Sequence, residues 1–96
     1  MEILVAYDVS TETREGQRRL RRVATICLGY GQRVQKSVFE CQVTQAQMEE
    51  LEDKLVRTID PAQDSIRIYR LVEPRERYVK MHGARPEFDF REPLIV

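Results

Sequence analysis

The chain predicts a two-layer α+β sandwich, and three observations carry that expectation. Two segments place apolar residues at helical spacing on one face, the segments between them read as strands, and the order along the chain is strand, helix, strand, helix, strand. The third observation is size: 96 residues, 42% of them hydrophobic and 33% charged, suffice for one core, and splitting them would leave neither half enough apolar surface to offset chain entropy. A single domain over residues 1–96 is therefore expected, with its core in 1–72 and a C-terminal extension in 73–96.

The first strand is Met1-Glu2-Ile3-Leu4-Val5-Ala6-Tyr7, ending at Asp8. Ile3, Val5 and Tyr7 point to one face and Leu4 and Ala6 to the other, so the strand is apolar on both sides. Both sheet faces then need cover. Two helices can cover one, and in so short a chain a second copy most easily covers the other, which predicts an oligomer.

Asp8-Val9-Ser10-Thr11 leads into a helix over residues 13–30, with Thr11 as its N-cap and Glu12 and Glu15 complementing the dipole in the first turn. Leu20, Val23, Ala24, Cys27 and Tyr30 form its apolar stripe, while Arg14, Arg18, Arg21 and Arg22 fall on the opposite side. Gly29 or Gly31 is expected to supply a left-handed residue that ends it. Residues 32–43 are extended by their Val and Phe content, either as one long strand or as two joined at Lys36-Ser37, the single bend available where no Asn-Gly stands.

Thr44-Gln45-Ala46-Gln47 reads as a capping box opening the second helix. Its buried stripe is Met48, Leu51, Leu55 and Ile59; Glu49, Glu50, Glu52 and Asp53 face outward, and Asp60-Pro61 stops it. Residues 64–72 form a strand that Pro74 breaks, residues 77–81 read as a further short strand, and residues 83–91 are loop-like. Pro93-Leu94-Ile95-Val96 is an apolar end that should pair with a sheet edge, its own or a partner's, because left open it would be an edge liability. In this order the elements make a ferredoxin-like sandwich, βαββαβ where the middle segment is a hairpin.

Sixteen basic residues balance sixteen acidic ones, so attraction to nucleic acid must be local. Residues 14–36 supply it, holding Arg14, Arg18, Arg19, Arg21, Arg22, Arg33 and Lys36 against Glu15 alone. Such a face can track a phosphate backbone or simply be solvated. Cys27 and Cys41 lack CxxC spacing and His82 stands alone, which excludes a zinc site or a thiol–histidine pair within one protomer; both cysteines read as buried thiols. No apolar run approaches the ~20 residues of a membrane helix, and no basic-then-apolar leader opens the chain, so a cytoplasmic protein without membrane contact is expected.

Val5-Ala6-Tyr7-Asp8-Val9 before a basic helix, then Gly31-Gln32-Arg33-Val34-Gln35-Lys36-Ser37-Val38-Phe39-Glu40, then Ser65-Ile66-Arg67-Ile68-Tyr69, resembles the small CRISPR-associated Cas-two family over residues 1–72. The resemblance implies a ferredoxin-like fold with the hairpin, a homodimer formed sheet against sheet, and a C-terminal strand reaching the neighbouring subunit. It implies a role in spacer acquisition, in which the dimer bridges Cas-one-type integrase dimers and supports a DNA duplex, and metal-dependent endonuclease activity on RNA or duplex DNA. The family's strand-end aspartate falls on Asp8 and its neighbouring aromatic on Tyr7. Arg33 opens the second motif, Ser37 and Phe39 carry its Ser and Phe, and Arg14 and Arg18 match the first-helix arginines. The implied catalytic group is Asp8, Tyr7, Ser37 and Phe39, with Asp8 from both subunits around one Mg²⁺ or Mn²⁺, and the implied nucleic-acid surface is Arg14, Arg18, Arg21, Arg22 and Arg33. From the residues alone Asp8 also reads as a loop or capping carboxylate, and a small-ligand sensor on the same sandwich is the unrelated alternative. Residues 75–93 match no motif of the family.

Overall fold

The computed structural model describes residues 1–84. Its elements are β1 (Glu2–Asp8), α1 (Arg14–Leu28), β2 (Gly31–Gln35), β3 (Val38–Gln42), α2 (Gln45–Thr58), β4 (Ser65–Arg70) and a short α3 (Arg75–Tyr78). The strands form one antiparallel sheet in the order β2-β3-β1-β4, the ferredoxin-like arrangement expected from the sequence. Alternation along β1 sends Ile3, Val5 and Tyr7 inward beneath the helices, where they meet Phe39 and Cys41 of β3 and Leu20, Val23, Ala24 and Cys27 of α1. Leu51 and Leu55 of α2 close this core, each fully buried and each contributing about 1.5–3 kcal/mol of burial free energy.

The segment left open by sequence is a hairpin. Gln35 pairs with Val38 and Arg33 with Phe39, so Lys36 and Ser37 make the turn and one extra residue on β2 forms a bulge. The capping box is formed: Thr44 Oγ accepts from the Gln47 amide at 3.1 Å and Gln47 Oε1 from the Thr44 amide at 2.9 Å.

Three local expectations are corrected. The N-cap of α1 is Thr13, whose hydroxyl accepts from the Gly16 amide at 3.0 Å; Thr11 lies outside the helix and gives its carbonyl to Gln17 instead. Neither Gly29 nor Gly31 is left-handed. Gly29 caps α1 at φ −72°, and Gly31 belongs to β2, where a Cβ would lie 2.2 Å from the Glu40 carbonyl oxygen and 2.5 Å from Cys41 Sγ, so it is glycine for close strand approach. The strand expected over residues 77–81 is replaced by α3, whose single turn closes with the Val79 amide donating to the Arg75 carbonyl. The strand expected over residues 93–96 lies outside the described residues.

The outer face of the sheet is uncovered by the described chain except at one end. Leu4 and Ala6 of β1 and Val38 of β3 are only half-buried there, and Tyr69 of β4 is 45% exposed.

Candidate nucleic-acid and metal site

Asp8 is the last residue of β1, directly beside Ser65 of β4 in the ladder, and it is exposed. Since Tyr7 points into the core, the period of two aims Asp8 to the outer, uncovered face. Its backbone is held from three sides. On one side the Tyr7 amide donates to the Ser37 carbonyl at 3.1 Å, tying the strand end to the hairpin turn. On another, the Ser10 amide donates to Asp64 Oδ1 at 3.0 Å. On the third, Ser10 packs so closely on α1 that a Cβ on Gly16 would fall 2.0 Å from the Ser10 carbonyl oxygen, which requires glycine at residue 16.

Asp64 is the residue that sequence reading missed. Its carboxylate is fully buried and accepts from the Ser10 amide, from Arg19 Nε at 2.7 Å and from the Asp60 amide at 2.9 Å. Burial pushes this carboxyl up, but the Arg19 guanidinium and the two backbone amides outweigh it and hold it below the usual carboxylate range. The side chain thus fastens the loop after Asp8, helix α1 and the turn before β4 to one another. Arg19 lies at the edge of the helical stripe, next to the solvent-facing arginines, and in sequence it looked like one of them.

Tyr7 and Phe39 are core residues. Phe39 has no exposed surface, and its ring stacks with that of Tyr7 at 6.1 Å, with Arg33 over the Phe39 ring at 5.1 Å. The Tyr7 hydroxyl donates to the Lys36 carbonyl and accepts from Arg33 Nη2, both at 3.4 Å, and burial pushes its pKa up. Both rings thus stand in the core, as the alternation of Tyr7 with Ile3 and Val5 predicts, and from there they shape the strand end that carries Asp8. Arg33 is likewise directed into this cluster on the inner face. Ser37 sits in the hairpin turn, half-buried, with its carbonyl on Tyr7.

Arg14, Arg18, Arg21 and Arg22 are all exposed on the solvent side of α1. The sheet lies between them and the face that Asp8 looks onto, so within one protomer the fold does not bring the arginines and the carboxylate together. Cys27 and Cys41 are buried free thiols, pushed up to about 12 and about 11 by desolvation, and are not poised as nucleophiles. His82 is exposed.

Among the described residues no three His, Cys, Asp or Glu side chains converge as a metal site. Asp8 alone suits a hard divalent cation of the Mg²⁺ kind, which keeps most of its waters and takes one or two carboxylates. No helix among the described residues is long and apolar enough to cross a membrane.

Fold and site together define a class: small ferredoxin-like proteins with one exposed carboxylate at a central strand end, on an otherwise open sheet face. The profile described as CRISPR associated protein Cas2 matches residues 1–79, and the chain belongs to the CRISPR-associated Cas2 family. It is 53% identical over 96 residues to the CRISPR-associated endoribonuclease Cas2 1 of Moorella thermoacetica, with both chains fully covered. To the CRISPR-associated endonuclease Cas2 of Halalkalibacterium halodurans it is 47% identical over 95 residues, covering 99% of each. The crystal structure of Streptococcus pyogenes Cas2 superposes with a TM-score of 0.78 at 51% identity, covering 86% of this chain and all of that one.

Proposed function

We propose that this chain is a CRISPR adaptation protein that acts as a homodimer and as a divalent-metal-dependent endonuclease centred on Asp8. The observation that carries the reading is the setting of Asp8: an exposed carboxylate on the open face of the sheet, at a strand end pinned by Ser37, Asp64 and Gly16. The names of the relatives, endoribonuclease and endonuclease, support phosphodiester hydrolysis with RNA or duplex DNA as substrate.

A second copy laid on the open face brings a second Asp8 to the first, which turns one carboxylate into the pair that Mg²⁺ or Mn²⁺ binds. When bound there, the cation neutralises charge developing on the phosphate and lowers the pKa of a coordinated water. The chain's own part is to hold the carboxylate. Asp8 stands in solvent, where it can take a ligand. Tyr7 and Phe39 keep the strand end rigid from below, and the Ser37 turn bounds the site beside it. Arg14, Arg18, Arg21 and Arg22 bind duplex phosphates on the helix layer of each subunit. In the cell the dimer bridges Cas-one-type integrase dimers during spacer acquisition.

Activity of wild type and Asp8→Asn on RNA and on duplex DNA, with Mg²⁺, Mn²⁺ or chelator, tests the enzyme reading. Wild type is expected to cut only with metal, and the variant to remain folded and dimeric while losing at least about 100-fold in rate, the scale at which removing a key charge-stabilising group acts. Equal cutting by the variant would sink the assignment of Asp8. The alternative is a non-catalytic nucleic-acid scaffold, in keeping with the absence among the described residues of three convergent His, Cys, Asp or Glu side chains, and a folded wild type that never cuts yet binds duplex DNA would establish it.

A further inference from the structure

The end of the outer face farthest from Asp8 is not bare. After β4 the chain turns back: the Leu71 amide donates to the Glu2 carbonyl at 2.9 Å, and the Glu2 amide donates to Glu73 Oε1 at 3.0 Å. Arg75, in α3, is thereby laid over the start of β1. Its Nη1 lies 3.5 Å from Glu2 Oε2 and 3.4 Å from Glu40 Oε1. Both glutamates belong to the outer face, because their neighbours Ile3, Phe39 and Cys41 point inward. Their side chains are already only 12% and 14% exposed in the single chain, and Glu2 Oε2 accepts no hydrogen bond among the described residues.

These two carboxylates lie at the edge of a surface that otherwise calls for a partner. Leu4, Ala6 and Val38 are half-covered on it, and Tyr69, opposite Leu4, is exposed there; beyond β4, Val72, Tyr78, Val79 and Met81 are exposed apolar side chains as well. An isologous contact through this face places the same patch on both sides, so four carboxylates enter one interface and lose the water that now solvates them. Uncompensated, that charge opposes docking.

We infer that Arg75 is the residue that makes the outer face dockable by a second copy of this chain, by offsetting one of the two negative charges of the Glu2–Glu40 pair before water is excluded. The inference rests on the homodimer reading above and adds to it the group that governs assembly. A guanidinium suits this position because it is weakly hydrated and so costs less to dehydrate than a lysine ammonium; here its Nη1 faces both carboxylates. Two other cations on this side of the sheet have partners of their own. The N-terminal ammonium bonds the Val43 carbonyl and faces Glu73, and Arg67 lies farther along the face, opposite Ala6, donating to the Tyr69 hydroxyl.

Sedimentation equilibrium on purified full chains tests this. Wild type is expected to dimerise, Arg75→Gln to raise the dimer dissociation constant at least about tenfold, and the triple variant Glu2→Gln/Glu40→Gln/Arg75→Gln to return to within about threefold of wild type, since no charge is left to compensate. Arg75→Gln dimerising as tightly as wild type overturns the inference. So does a triple variant as weak as Arg75→Gln, which would make the effect one of turn structure and not of charge. Should Arg75→Gln not fold, Glu40→Gln/Arg75→Gln, with a single uncompensated carboxylate, replaces it, and the triple variant must then dimerise more tightly than that double variant. A wild type monomeric at every concentration is a different result: it removes the homodimer reading itself.

Discussion

Asp64 and Asp8 are carboxylates with opposite fates, and the difference lies in what surrounds them. Asp8 ends a strand on the open face, while Asp64 is fully buried with three donors that include a guanidinium. Replacing Asp64 with Asn keeps the shape but leaves Arg19, whose side chain is only 15% exposed, without its counter-charge. Breaking a pair of this kind costs about 3 kcal/mol, so urea unfolding of Asp64→Asn should show a loss of that order, and a loss below about 1 kcal/mol would mean that the backbone amides alone secure the turn. Asp8 was legible as a strand end, where the apolar alternation stops, but as a candidate metal ligand only through the family resemblance, since the residues alone also allow a loop or capping carboxylate. Asp64 was not, because its role depends on Ser10 and Arg19, 54 and 45 residues away in the chain, and no local pattern encodes that meeting. Tyr7 was legible as a core-facing residue because it alternates with Ile3 and Val5, whereas the family motif by itself gives only identity and order.

The helices were the best-read elements. The stripe Leu20, Val23, Ala24 and Cys27 is buried as expected, and the Thr44–Gln47 box is formed, because a 3.6-residue period and a cap are local physics that tertiary packing then reinforces. The N-cap of α1 was misread by two residues, because Thr11 and Thr13 offer the same hydroxyl and it is Thr13 that accepts from the Gly16 amide. The hairpin stayed open because Lys36-Ser37 is an unusual two-residue turn that works here with a bulge on β2. For α1 the function of the exposed arginines is testable at the scale of the helix. In duplex DNA binding, replacing Arg14, Arg18, Arg21 and Arg22 together by Ala should flatten the plot of log affinity against log salt by about 0.9 for each phosphate that is no longer neutralised. An unchanged slope would assign the face to solvation alone. Stability should change little, because none of the four enters the core.

At the scale of the molecule, the sheet was read as apolar on both faces, and among the described residues the helices cover only one of them. The segment beyond residue 72 was the part least legible in the sequence: Arg75 acts by reaching back to Glu2 and Glu40, which composition cannot reveal. The same burial that builds the core also sets how the whole fold responds to pH. Asp64 has a folded pKa below its unfolded value, so its stabilisation is complete above about pH 4 and is lost as pH falls below that towards the folded value. Cys27 and Cys41 have folded values raised to about 12 and about 11, so the unfolded chain releases their protons first. Their contribution is complete below about pH 8.5 and is lost progressively as pH rises from there towards those values. Urea midpoints should therefore form a plateau between about pH 4 and pH 8.5 with a fall on either side. The two arms are separable, because they arise at different residues. Asp64→Asn should lower the plateau and shrink the acid fall without touching the alkaline one, while Cys27→Ala/Cys41→Ala should lower the plateau through poorer packing and flatten the alkaline fall. A double cysteine variant that still loses stability above about pH 8.5 as steeply as wild type would show that other groups, such as the buried Tyr7 hydroxyl with its raised pKa, govern that arm instead.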